Sequence, residues 1–180
     1  MVMNKQDNAR LARQMCEKGL WQEVVNFAQQ WRHANPGDPK ALYYLGLGFS
    51  GTGHYARAEA AYRQALAMDP SDVNAWNNLA GLLYEKLQRH AEGIWCVEQA
   101  LKIDPRHKVG WSNLATMVGR LGHHNKAMDC ANRALALDPK LVEAHLHRAN
   151  AALALGKMEI VKETCNALAA FRPEDFRRAR

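Results

Sequence analysis

Proline recurs along this chain at an almost fixed interval. Pro36, Pro70, Pro105, Pro139 and Pro173 are separated by steps of 34, 35, 34 and 34 residues. The prolines at 70, 105 and 139 each close the phrase A-L-x-x-D-P. Laid on one another, Val73–Pro105 and Lys108–Pro139 match position by position and also share W-x-N-L-A near the start. A unit this short cannot bury its own apolar face, so it is stable only when stacked against its neighbours.

Within a unit the apolar residues fall at helical spacing. In the second unit they are Leu42, Leu45 and Phe49, then Ala58, Tyr62, Ala65 and Leu66. Each unit therefore reads as two antiparallel helices, the second stopped by its proline, which pushes the preceding residue out of the helical region. Asp38 before Pro39 and Asp72 before Val73 read as N-caps. The turn between helices carries Gly51 and Gly53, with counterparts at Gly19, Gly122 and Gly156. In the third unit Leu87-Gln88 stands in that place with one extra residue, which predicts an irregular turn. Small residues recur where two helices must approach closely: Ala12, Gly46, Ala80, Ala115 and Ala149 on first helices, opposite Ala58, Gly93 and Ala127. The expected units are 5–38, 39–72, 73–107, 108–141 and 142–175 of a single array spanning 1–180. The terminal units depart from the pattern, with Asn8 and His145 at the tryptophan place. After Pro173, Asp175 reads as the cap of a further first helix, so 176–180 begins either a folded-back cap or a helix of a longer array.

Composition narrows the function classes. Apolar residues make up 48% of the chain, and no apolar run approaches a membrane span. The opening MVMNKQDNAR lacks the core of a signal peptide, which points to the cytoplasm. The four cysteines show no C-x-x-C spacing and read as buried free thiols. Of the net charge of +6, Lys108–Leu141 carries +3 and the final FRRAR another +3, which favours acidic partners. Nucleic acid is disfavoured, because the positions expected to face a ligand hold no line of basic residues.

Several apparent motifs have simpler readings. Gly46-Leu47-Gly48-Phe49-Ser50-Gly51 satisfies G-x-G-x-x-G but follows a helix, and its glycines fall on repeat positions. His123, His124, His145 and His147 point to different helix faces and have no carboxylate or thiol completing a metal set. Trp76, Trp111 and Tyr62 sit at core spacing. No nucleophile–base pair is identifiable, so the chain reads as a non-enzyme with no cofactor.

Over residues 5–175 the proline period, W-x-N-L-A and A-L-x-x-D-P resemble the tetratricopeptide repeat. That resemblance implies an all-α, right-handed superhelical solenoid of about five helix–turn–helix repeats, whose first helices line a concave groove for a peptide or partner protein. Carried over position by position, the groove residues are Tyr43, Tyr44 and Leu47, then Asn74, Asn77, Asn78 and Tyr84, then Ser112, Asn113, Thr116 and Arg120, then His147 and Asn150. Asn78 and Asn113 hold one place in successive repeats and offer donor and acceptor to a peptide backbone. They resemble two rungs of the asparagine ladder of the O-GlcNAc transferase array. The dicarboxylate clamp of chaperone-binding arrays is not matched: Tyr43, Leu47, Asn78, Val109 and Asn113 stand at its five places, and only Asn78 agrees. The implied function is an adaptor or scaffold. The alternatives are self-association through an apolar carboxy-terminal end around Ile160 and Val161, or the amino-terminal array of a longer transferase-like protein.

Overall fold

The computed structural model describes residues 5–171; Pro173, the Asp175 cap and the segment 176–180 lie outside the described residues. Every described element is helical: α1 (Lys5–Glu17), α2 (Trp21–Ala34), α3 (Pro39–Gly51), α4 (Tyr55–Met68), α5 (Val73–Gly81), a π-helical turn (Leu82–Lys86), α6 (His90–Ile103), α7 (Lys108–Arg120), α8 (His124–Leu137), α9 (Val142–Ala154) and α10 (Met158–Ala169). The chain divides into two compact units, Met1–Cys96 and Val97–Arg180, with the boundary inside α6.

Local chemistry sets the helix ends. Asp38 is extended and accepts the backbone N–H of Lys40 at 3.1 Å, with Pro39 as the first helical residue of α3. Asp72 does the same for α5, accepting from Asn74 and Ala75 at 3.1 and 3.2 Å. In α7 the cap is an imidazole: His107 Nδ1 accepts from the N–H of Gly110 at 3.1 Å. Leu141, before α9, has no side-chain cap. Each side-chain cap satisfies backbone donors that a helix start leaves unpaired.

The turns inside four helix pairs pass through a left-handed residue, Gly19, Gly53, Gly122 and Gly156, at φ between 70° and 82°. The third pair reverses through Gln88 at φ 56°, the one non-glycine with positive φ among the described residues. Its extra residue is absorbed upstream, where the Leu87 N–H reaches back five residues to the Leu82 carbonyl at 3.1 Å. A π turn is how a helix takes in one residue without breaking its ladder. Arg89, which follows, ties the turn down: its guanidinium bonds both oxygens of Glu59 at 2.8 Å and both of Glu92, while Arg63 bonds the same two carboxylates.

The core of the unit Met1–Cys96 holds Val24, Val25, Trp31, Leu42, Tyr44 and Leu45. The Trp31 indole donates to the buried Asp38 carboxylate at 3.2 Å, which joins helix cap to core. The glycines of α3 are packing sites. A Cβ on Gly46 would stand 2.5 Å from Tyr62, one on Gly48 2.7 Å from Val25, and one on Gly51 would overlap the Trp21 ring. The G-x-G-x-x-G spacing thus serves helix contact. In Val97–Arg180 the core comprises Leu114, Met117, Val118, Cys130, Ala131, Ala134 and Ala151.

Candidate peptide-binding face

The residues predicted to meet a ligand divide on their burial. In Met1–Cys96, Tyr44 is buried against the Trp31 ring, centroids 5.8 Å apart, and Tyr84 lies against His90 at 4.5 Å. Asn77 is also buried, as is Ser112 in Val97–Arg180. These four do not present their side chains to solvent, which corrects the sequence-based assignment. Tyr84 falls in the π-helical turn Leu82–Lys86, where the extra residue shifts its phase from that of the position carried over from the other repeats. Asn77 and Ser112 precede the repeated asparagine by one position, about 100° around the helix, and turn into the packed side.

The remaining residues of that unit are bonded to one another. Asn78 donates its amide to the Tyr43 hydroxyl at 3.0 Å. Lys40 pairs with Asp72 at 2.7 Å and stands 5.5 Å from the centre of the Tyr43 ring. Burial, together with the nearby Tyr44 and Asp72, holds the Tyr43 phenol well above its usual range, against the opposing pull of the Asn78 bond. Leu47 is half-buried at the edge of the core, and Asn74 is exposed. Asn78 is therefore already engaged inside its own unit.

In Val97–Arg180 the predicted residues open onto a pocket of about 300 Å³. Thr116 and Arg120 of α7, His124 of α8, and His147 and Asn150 of α9 line it. The Thr116 hydroxyl donates to the Ser112 carbonyl at 3.1 Å, so its oxygen accepts from Nε2–H of His147 at 2.8 Å, which fixes the neutral imidazole tautomer. Burial lowers the pKa of His147, Glu143 opposes that shift, and the charge of Arg120 adds to it. Arg120 and Asn150 are exposed and Asn113 is half-buried. Among the described residues, no group of three or more His, Cys, Asp or Glu is placed to hold a metal ion. No described helix is long and apolar enough to cross a membrane.

The cysteines correct a second expectation. Cys96 and Cys130 are buried, and burial pushes their thiols up, to about 11 for Cys96. Cys16 is only half-buried, however, and Cys165 is exposed.

A repeated bond escaped the sequence reading. The indoles of Trp76 and Trp111 are half-buried rather than internal, and each donates to the carbonyl of the proline six residues earlier, Pro70 and Pro105, at 2.9 Å. His145 donates through Nε2 to Pro139 in the same way, also at 2.9 Å. The signal was present as a constant spacing of six from proline to a ring that carries an N–H.

Helix pairs closed by Asp-Pro, reversing through a left-handed residue and repeating every 34 residues, define a helical-repeat protein. The repeats are tetratricopeptide repeats: residues 45–107 match one family model of that description and residues 110–141 a second. Such repeat proteins are protein-interaction modules. Solved structures share the fold at low identity. A crystal structure of MamA superposes with a TM-score of 0.76 at 17% identity, covering 94% of this chain and 95% of that one. PilF of Pseudomonas aeruginosa gives 0.84 at 19%, over 91% and 74%. The first repeat domain of Spaghetti, solved with the HSP90 peptide SRMEEVD, gives 0.63 at 20%, over 66% and 94%. No curated protein matched this chain.

Proposed function

We propose that this chain is a non-catalytic adaptor that binds an extended, acidic segment of a partner protein on the first-helix face of Val97–Arg180. The observation that carries this reading is the pocket lined by Arg120, His124, His147 and Asn150, in which the Thr116 hydroxyl meets His147 at 2.8 Å. Arg120 supplies fixed positive charge, and the Asn150 carboxamide offers a donor and an acceptor to a main chain. The nearby Glu143 limits how many carboxylates the pocket accepts, which favours one anchoring acid over a dense cluster. Asn113 lies on the same helix as Thr116 and would extend the contact along the ligand backbone.

The test is a lysate pull-down with wild type beside an Arg120→Glu/Asn150→Ala variant, with circular dichroism confirming that both fold. Retained partners are identified, and their mapped segments are remeasured as synthetic peptides by calorimetry. We expect wild type to hold a segment rich in Asp or Glu, and the variant to lose about tenfold or more in affinity, as loss of a charge-assisted hydrogen bond predicts. Equal retention by the variant would remove the pocket from the account.

A second reading has one observation behind it. Leu146, Leu153 and Met158, on α9 and the start of α10, are about half exposed, at 48%, 59% and 50%. Self-association through them would show as a concentration-dependent mass in light scattering. Ile160 and Val161, expected from sequence to carry that contact, are half-buried.

A further inference from the structure

A crevice of about 530 Å³ lies within Val97–Arg180, away from the residues of the first-helix pocket. Leu101, Pro105, Trp111 and Leu114 form its apolar lining, and Lys102, Asp129 and Arg133 stand on its rim. A Glu98–Lys126 ion pair at 3.1 Å flanks it.

The register of the repeats puts an equivalent place one repeat earlier, inside Met1–Cys96. There Trp76 donates to the Pro70 carbonyl, as Trp111 does to Pro105. Arg63 pairs with Glu92 at 3.3 Å, the same bridge with its signs reversed. At the place of Asp129 the third repeat holds Trp95, at that of Lys102 Ala67, and at that of Arg133 Gln99. The Trp95 ring stands edge-on to Trp76, with centroids 5.4 Å apart and planes at 76°. Edge-to-face packing is a favoured geometry for two aromatic rings. The molecule itself therefore displays what this floor accepts: in one repeat the chain supplies the second ring, and in the next a carboxylate stands in that ring's place, with the Arg133 guanidinium 4.6 Å from the centre of the Trp111 ring.

The charges on the rim select the ligand further. Among the described residues no carboxylate pairs with Lys102, whose ammonium reaches the neutral Gln99 amide at 3.4 Å, or with Arg133, whose guanidinium stands 4.6 Å from the centre of the Trp111 ring. Asp129 is exposed and free to accept a hydrogen bond.

We infer that this crevice docks a tryptophan anchor of an acidic segment on a partner protein. The ring takes against Trp111 the place that Trp95 takes against Trp76. Its indole N–H donates to Asp129, and flanking carboxylates face Lys102 and Arg133. This surface is separate from the first-helix pocket and stands or falls without it.

The test uses the peptide acetyl-Asp-Asp-Trp-Asp-Asp-amide on the full chain, followed through the indole N–H resonance of Trp111 in a ¹⁵N–¹H correlation spectrum. We expect a saturable shift, with affinity falling roughly tenfold when the peptide tryptophan becomes alanine, the worth of a lost aromatic pair and its buried area. Changing the four aspartates to lysine should weaken binding at least as much. Asp129→Trp copies the third repeat into the fourth and should abolish the shift by filling the crevice with the chain's own ring. Lys102→Glu/Arg133→Glu, which leaves the crevice empty, should do the same by charge. The inference is overturned if Trp111 does not respond to the peptide, if the alanine or lysine peptide binds equally well, or if both crevice variants bind like wild type.

Discussion

The third and fourth repeats are the most alike in sequence, yet they differ where residues meet a turn, a cap and a crevice. The fourth runs α7 straight to Arg120 and reverses through Gly122 at φ 82°. The third ends α5 at Gly81, passes through the π turn Leu82–Lys86 and reverses through Gln88 at φ 56°. One inserted residue accounts for both changes. It carries the Tyr84 side chain inward, so that a Cβ on Gly93 would lie 2.9 Å from the Tyr84 Cβ and from the Ala80 carbonyl. The fourth repeat holds Ala127 at the place of Gly93, and it is buried without conflict. A shared sequence pattern therefore fixes the helix pair, while one extra residue decides which side chains that pair conceals.

The largest expected effect follows from that contact. Gly93→Ala should cost about 1–3 kcal/mol, because the obstructing atoms are a backbone carbonyl and a Cβ, neither of which is the far end of a flexible side chain. The converse change, Ala127→Gly, should cost about 1 kcal/mol, the ordinary helix penalty of glycine. Urea denaturation of the two variants measures both. Equal losses would mean that the π turn does not tighten the third pair.

The helix caps come next. Asp72 accepts two backbone N–H groups and also holds Lys40, whereas His107 accepts one. Asp72→Ala should therefore lose about 2 kcal/mol and His107→Ala about 1 kcal/mol, at the upper and middle parts of the range for N-caps. The ranking is read from midpoints of thermal or urea unfolding, and a reversed order would break the comparison.

Much of this architecture was legible in the sequence because it depends on local chemistry. Asp38, Asp72 and the prolines act within a few residues of themselves, and the four glycines mark turns that require a left-handed residue. The irregular third turn was readable as a length difference. Its consequence for Tyr84 was not, since a π turn is chosen by tertiary packing and not by any residue within it. The ligand face was legible only in part. Thr116, Arg120, His147 and Asn150 do line one pocket. Tyr44 and Asn78 face the right way by periodicity, but Trp31 and Tyr43 engage them, and those partners lie on other helices.

A smaller effect tests the turn itself. Gln88 occupies a conformation that costs a side-chain-bearing residue about 1 kcal/mol, which glycine avoids. Gln88→Gly should stabilise the third repeat by up to about 1 kcal/mol, and Gly122→Gln should destabilise the fourth by a similar amount. The Gln88 amide donates to the Glu85 carbonyl at 3.1 Å, and losing that bond trims the gain. If Gln88→Gly is destabilising, the side-chain bond rather than the backbone governs this turn.

The smallest effect separates the caps by their chemistry. The third repeat caps α5 with a carboxylate and the fourth caps α7 with an imidazole, which accepts from Gly110 only through the unprotonated Nδ1. Burial lowers the pKa of His107 and Asp104 partly offsets it, while burial likewise lowers that of His147. Both histidines thus titrate lower in the folded chain than in the unfolded one, where the value is about 6.5. Between the two values the unfolded state binds more protons, so stability is complete above about pH 6.5 and falls as the pH drops through the lowered folded values. Asp69, Glu92 and Asp138 are lowered too, held below the usual carboxylate range by their hydrogen bonds, so they stay ionised through that window. The melting temperature should therefore decline from pH 7.5 to pH 5. His107→Asp, which gives the fourth repeat the cap of the third, should reduce that decline, and adding His147→Gln should reduce it further. An unchanged slope in the double variant would place the acid sensitivity elsewhere and leave the imidazole cap with only the structural role that Asp72 has.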